Sequence, residues 1–304
     1  MVKSFFKVLT VIVITFLVIS SAMTFAVQPG QAASKPWNFT ATLKPGTWQS
    51  YILGPATDGG AYIVDITPLN MSISGAYIKS VILPEYDGTQ WNDVLRMMIP
   101  VEFPKQQVQV DVYQPPVSKT VFDATTSLAP GVWHGFGFAA IHDYQGAYLA
   151  DFDPLAASDK GATFMRYLIH SEYPWGAWLD ILRVQTEAWL SSPLPTRLRV
   201  YLVSDLPLVA DFNVTLTKQD TWTGFFVGPS SLKRGYIVRA IPLAVGESYQ
   251  DLNQYIIQPE FDGQQWNDVL RIEMGNLDAP WESIDYNFKI YACGFYIFLP
   301  LIRK

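Results

Sequence analysis

The chain has one cysteine, Cys293, in 304 residues, so no intrachain disulfide can form and packing must supply the stability that small exported domains often take from cross-links. It has no run of Lys and Arg: 21 basic residues face 27 acidic ones, for a formal net charge of −6. Affinity for a polyanion comes from Lys and Arg neutralising phosphates, which argues against a nucleic-acid partner. No segment sustains apolar residues at i, i+3, i+4 and i+7 over three turns, so helix is expected to be incidental. There is no Gly-x-Ser-x-Gly elbow, no candidate Cys–His pair and no Ser-His-Asp order worth defending. The expectation is a non-enzymatic protein with no catalytic residues. A glycan-active hydrolase working through a carboxylate pair is the least favoured reading.

Charge is also missing at the start. No acidic residue precedes Asp58, and Lys3 and Lys7 lead into an apolar run from Val8 to Ser20 that gives way to small residues around Ala26, Ala32 and Ala33. That is the layout of a secretory signal peptide over residues 1–33. The alternative is an uncleaved anchor, since Val8 to Val27 is long enough to span a bilayer. In that case this segment would be the chain's only membrane contact. Either way a secreted or cell-surface protein is expected, and losing Lys3 and Lys7 leaves 19 basic residues against 27 acidic ones.

What is present is repetition. Pro84-Glu-Tyr-Asp-Gly-Thr-Gln-Trp-Asn-Asp-Val-Leu-Arg96 returns as Pro259-Glu-Phe-Asp-Gly-Gln-Gln-Trp-Asn-Asp-Val-Leu-Arg271 with eleven of thirteen positions identical, and a divergent copy, Ser171 to Arg183, lies between them. Trp91, Trp178 and Trp266 stand 87 and 88 residues apart, a period that points to copies of one structural unit. Around the signature, Tyr62, Val64 and Ile66 alternate with Ile63, Asp65 and Thr67, and Val108, Val110 and Val112 with Gln109, Asp111 and Tyr113. Period-2 alternation marks strands with one buried face. About six short strands per copy, broken by Gly and Pro, predict an all-β protein of three tandem antiparallel sandwiches resembling jelly rolls, over residues 34–117, 118–207 and 208–294. A single pseudo-threefold barrel is the rival arrangement.

Trp91, Asp93 and Arg96 recur as Trp178, Asp180 and Arg183 and as Trp266, Asp268 and Arg271. The reading is structural: Trp fills core, Asp accepts backbone N–H groups where a loop becomes a strand, and Arg pairs with some other carboxylate. Glu85, Asp87, Asn92 and Asp93, with Glu260, Asp262, Asn267 and Asp268, also form two oxygen-rich sets open to Ca²⁺. Ordinary turn chemistry is the competing explanation, and no other cofactor is indicated. His134, His142 and His170 are expected to be unrelated surface residues. Phe103, Trp189 and Trp281 follow the signature in loops, where aromatics can stack on a sugar ring or simply plug the end of a sandwich.

Residues 295–304, Phe-Tyr-Ile-Phe-Leu-Pro-Leu-Ile-Arg-Lys, follow the third copy. The tail resembles the short aromatic-Leu-Pro-Leu-aliphatic tails ending in a base that various secreted bacterial proteins carry, which bears on location more than on activity. Two functions stay open. One is a structural, adhesive or protein-interaction array meeting a cell-surface protein. The other is a carbohydrate-binding protein that grips an extracellular glycan with its loop aromatics, with or without Ca²⁺.

Overall fold

The computed structural model describes residues 34–56, 60–141, 143–172, 177–217, 222–243, 252–274 and 283–294. The segment 1–33, the tail 295–304, His142, Pro174 and Trp281 lie outside the described residues. The protein is all-β, built of six three-stranded antiparallel sheets arranged in pairs. Among the described residues no helix is long and apolar enough to cross a membrane.

The first sequence copy holds β1 (Ser34–Leu43), β2 (Gln49–Pro55), β3 (Ile63–Pro68), β4 (Lys79–Tyr86), β5 (Trp91–Met98) and β6 (Gln106–Gln114). They form the sheets β1-β6-β3 and β2-β5-β4. The second copy supplies β7 (Lys119–Leu128), β8 (Trp133–Ala140), β9 (Ala147–Pro154), β10 (Phe164–Glu172), β11 (Leu179–Thr186) and β12 (Leu194–Val203). The third supplies β13 (Leu208–Thr217), β14 (Thr223–Pro229), β15 (Gly235–Pro242), β16 (Leu252–Phe261), β17 (Trp266–Met274) and β18 (Ser283–Cys293). Their orders, β7-β12-β9 with β8-β11-β10 and β13-β18-β15 with β14-β17-β16, are the first copy's order over again.

Local sequence explains the shared pairing. Between β4 and β5, Asp87 Oδ1 accepts the N–H groups of Thr89 (2.8 Å) and Gln90 (2.9 Å), and Gly88 takes φ +103°. Asp262 and Gly263 build the same turn between β16 and β17, with Asp262 Oδ1 accepting from Gln264 (2.7 Å) and Gln265 (2.8 Å). A short polar side chain that mimics a backbone acceptor, followed by a glycine free to take positive φ, closes such a turn cheaply. On the other flank of the central strand, β2, β8 and β14 each carry one unpaired residue, Leu53, Phe138 and Val227. These bulges precede Gly54, Ala139 and Gly228, the residues facing Asp93, Asp180 and Asp268. A bulge bends its strand and re-aims neighbouring side chains.

The alternating valines of β6 put Val108, Val110 and Val112 against Leu95, Met97 and Ile99 to make the first core, and equivalent clusters fill the second and third copies. A fourth cluster draws on all three: Ile63 and Tyr113, Ala147, Val203 and Leu206, and Ile237, Tyr291 and Cys293. Burial in it pushes the Cys293 thiol up to about 12. Edge strands β3, β9 and β15, one from each sequence copy, therefore meet around a common centre.

Gly146, at the entrance to β9, takes φ +117°, and a Cβ there would stand 2.5 Å from the Val203 carbonyl oxygen. Gly146→Ala combines a disfavoured backbone with a clash, and such strain costs about 1–3 kcal/mol. A urea midpoint should fall accordingly. The control Gly137→Ala, whose Cβ would meet only Leu179 Cδ1 at 3.6 Å, should stay within about 0.5 kcal/mol of the parent.

Candidate functional site

The signature residues lead outward from their own copies. The Trp91 ring joins the second copy's core, beside Leu128, Phe152 and Leu194, and its Nε1 donates to the Ala156 carbonyl at 2.7 Å. Trp266 joins the first copy's core and donates to the Asn70 carbonyl, also at 2.7 Å. Both rings are buried, at 5% and 7% exposure. Trp178 is half-buried and packs on the third copy's cluster. Asn70 and Ala156 each follow a Pro-Leu pair, and the matching residue in the third copy, Ala244, lies outside the described residues. These tryptophans thus fill core, but that of a neighbour.

Backbone pairing reinforces the same joints. Tyr86 N–H donates to Ala162 O (2.9 Å) and Gly161 N–H to Tyr86 O (2.7 Å), while Phe261 N–H donates to Ala76 O (2.8 Å) and Gly75 N–H to Phe261 O (2.8 Å).

Arg96, Arg183 and Arg271 each form a clamp with a glutamate eleven residues earlier in the chain. Arg96 Nε and Nη2 both donate to Glu85 Oε2, at 3.1 and 2.7 Å. Arg183 grips both oxygens of Glu172 at 2.5 and 2.6 Å, and Arg271 both oxygens of Glu260 at 2.6 and 2.5 Å. His170, expected at the surface, is 5% exposed, and its Nε2 is 2.8 Å from Glu172 Oε1. Burial works against the Glu172 carboxylate, but bonds from His170 and Arg183 outweigh it and hold the group at about 2. His134 Nε2 accepts the Ala129 N–H at 3.0 Å.

The oxygen-rich sets are divided by these bonds. Glu85 and Glu260 belong to arginines, and the Asn92 and Asn267 amides donate to Asp87 (3.0 Å) and Asp262 (2.9 Å). Each Asn oxygen accepts in turn from a glutamine, Gln90 at 2.9 Å and Gln265 at 3.0 Å. Asp93 and Asp268 are buried. Among the described residues no three His, Cys, Asp or Glu side chains come together as a metal-binding group.

For Asp180 and Asp268 the expectation that the signature aspartates accept turn N–H groups needs correcting. Asp87 and Asp262 do that work. Asp180 Oδ2 accepts from the Tyr148 hydroxyl (2.8 Å) and Arg239 Nη2 (3.2 Å), and Oδ1 from Ser171 Oγ (2.9 Å). Asp268 Oδ1 accepts from Ser230 Oγ at 2.6 Å. The bulge opposite turns Asp180 and Asp268 into the sandwich, where side-chain hydroxyls reach them. Desolvation pushes Asp268 up to about 6, with the Ser230 bond working the other way. It also raises Asp180, against the pull of Arg239.

Arg239 is a residue that sequence reasoning passed over. It occupies the position of Asp65 and Asp151 in the other copies, a reversal of sign that was the available signal. Its side chain is 5% exposed and crosses into the second copy, where it lies over the Tyr148 ring at 5.0 Å and donates to the carbonyls of Ile141 (2.6 Å), Gly146 (3.2 Å) and Tyr144.

The loop aromatics are not alike. Phe103 is half-buried, edge-on to Tyr77 at 5.9 Å, and packs on the first core as a plug. Trp189 is 53% exposed. Where the three copies meet, the edge strands enclose a recess of about 520 Å³ that Trp48, Lys79, Arg166 and Tyr255 help to line. No protein-family model, curated protein or solved structure matches the chain.

Two stability measurements test the buried charges. Arg239→Met leaves Asp180 buried without its cation, and breaking such a pair costs about 3–5 kcal/mol. The double variant with Asp180→Asn should recover part of that loss. For Asp268 the folded value of about 6 exceeds the ordinary one of about 3.9. Its contribution to stability is therefore full below the ordinary value and lost as pH rises through the folded one. Asp268→Asn removes this dependence, so the variant should gain about 2–3 kcal/mol on the parent between pH 4 and pH 7.

Proposed function

We propose that this chain is a non-enzymatic scaffold working outside the cytoplasm, in which three copies of one six-stranded sandwich interlock and present their outer loops to a partner at the cell surface. One observation carries the reading: the polar residues that recur in the signature are spent on clamps, turns and joints. Arg96, Arg183 and Arg271 hold glutamates, and Asp87 and Asp262 hold turns. Some side chains that differ between copies, such as Val101, stand at the surface, as does the loop residue Trp189. A frame kept constant under variable loops suits recognition better than chemistry, since binding residues concentrate on loops held by a rigid support. The charged start and apolar run of residues 1–33, which read as a signal peptide, support the location.

A second reading rests on Trp189 alone. An exposed aromatic on a loop is a platform for a sugar ring, and Trp281 stands at the matching place in the third sequence copy. Expression of the full chain in a bacterial host followed by fractionation should place it in the envelope or the medium, and retention in the cytosol would overturn the proposed location. Co-sedimentation with insoluble polysaccharides decides between the readings. Retention that Trp189→Ala abolishes, at an unchanged melting temperature, selects glycan binding. Retention of neither protein, together with adhesion of cells displaying the parent, selects the interaction array.

A further inference from the structure

The central recess is lined by positions that correspond across the three copies. Counting back seven residues from Tyr86, Tyr173 and Phe261 gives Lys79, Arg166 and Gln254. All three line the recess, and so do Val81, Leu168 and Ile256, two residues further along the same strands. Lys79 and Arg166 are exposed, Val81 and Ile256 are half-buried and Leu168 is buried. Side chains two apart on a strand share a face, so a basic and amide rim gives way inward to an aliphatic wall. The central cluster continues that wall, because Ile63 and Ile237 belong to both.

The exposed rim is cationic in a protein of net charge −6, while the buried Asp65 and Asp268 and the cation Arg234 also line the recess. Arg166 lies over the Trp133 ring at 4.6 Å and its Nε donates to Gln185 at 3.2 Å, while Lys79 Nζ lies over Tyr77 at 5.6 Å. Among the described residues neither cation is paired with a carboxylate. The recess, at about 520 Å³, falls within the roughly 300–1,000 Å³ typical of small-molecule sites, which pair apolar walls with a few placed polar groups.

We propose that this recess binds a free medium-chain fatty acid, its carboxylate between Lys79 and Arg166 with Gln254 beside them and its chain along the aliphatic wall. A carboxylic acid is ionised at neutral pH, so the rim supplies charge complementarity and the wall the apolar burial. The inference does not depend on where the protein resides or on what its loops recognise.

The test is calorimetric titration of decanoate into the full chain at low salt, with decyltrimethylammonium as the oppositely charged control. Saturable binding at one site per chain is expected, with no binding of the cation. In Lys79→Gln/Arg166→Gln, affinity for decanoate should fall by roughly tenfold or more. Both substitutions fall on exposed side chains and should leave the fold intact. Val81→Trp, which fills the recess, should abolish binding. The proposal is overturned if no saturable binding appears up to a concentration on the order of 1 mM, if the double variant binds decanoate as the parent does, or if the cation binds equally well.

Discussion

The structure depends on an indole that its own sandwich does not bury. Trp91 and Trp266 stand at the first residues of β5 and β17, where the turn delivers them past the end of the sheet. Each ring reaches the core of another copy and spends its N–H on a carbonyl there. A buried Trp needs both an apolar bed and an acceptor for its one donor, and the neighbour supplies both. The first copy's ring enters the second copy, and the third copy's enters the first. Such head-to-tail contacts either run on as a filament or close into a ring. Here the link from the third copy back to the first closes them, and the edge strands of all three copies face a common centre.

Closure explains which polar residues recur. The joint forms only if the β4–β5 and β16–β17 hairpins project at a fixed angle, and the Asp-Gly turns and the Glu–Arg clamps hold them there. Each clamp joins residues on adjacent strands and leaves the arginine partly in solvent, so its contribution to stability is smaller than the bond count suggests. Its value is geometric, since two bonds into one carboxylate fix the register and splay of the pair. Arg239 then breaks the symmetry. Where the first two copies bury an aspartate on β3 and β9, the third buries an arginine that pairs with Asp180 across a joint. Three identical copies could close in any rotation, whereas a cation that finds its partner at one joint only makes the joints distinguishable.

The fold was largely legible in the sequence because strand periodicity and turn chemistry are local. Val108, Val110 and Val112 announce a buried face without reference to anything distant, and Asp87-Gly88 announces a turn. The joints were not legible, because a repeat conceals partnership. Trp91 has the same apolar surroundings whether it folds into its own copy or the next, and nothing in the spacing separates the two. Asp180 and Asp268 were misread for a related reason: the bulge that turns them inward sits on β8 and β14, some forty residues away in the chain. His170 looked like a surface residue because its partner, Glu172, was itself claimed by an arginine that sequence alone could not place. Phe103 and Trp189 have matching sequence contexts yet opposite fates, since Tyr77 covers one ring while the other is left exposed.

The buried carboxylates set the direction in which the assembly responds to pH. Asp151, held near 6 by burial against the pull of Arg199, and Asp268, also near 6, both favour the folded state more when protonated. Glu172, held near 2, favours it more when ionised. The first two contributions are lost as pH rises through their folded values, and the third is lost only as pH falls through its own. The two kinds of contribution overlap around the ordinary carboxylate values, between those limits. These three carboxylates therefore favour the folded state most at moderately acidic pH, above the value of Glu172 and below those of the two aspartates.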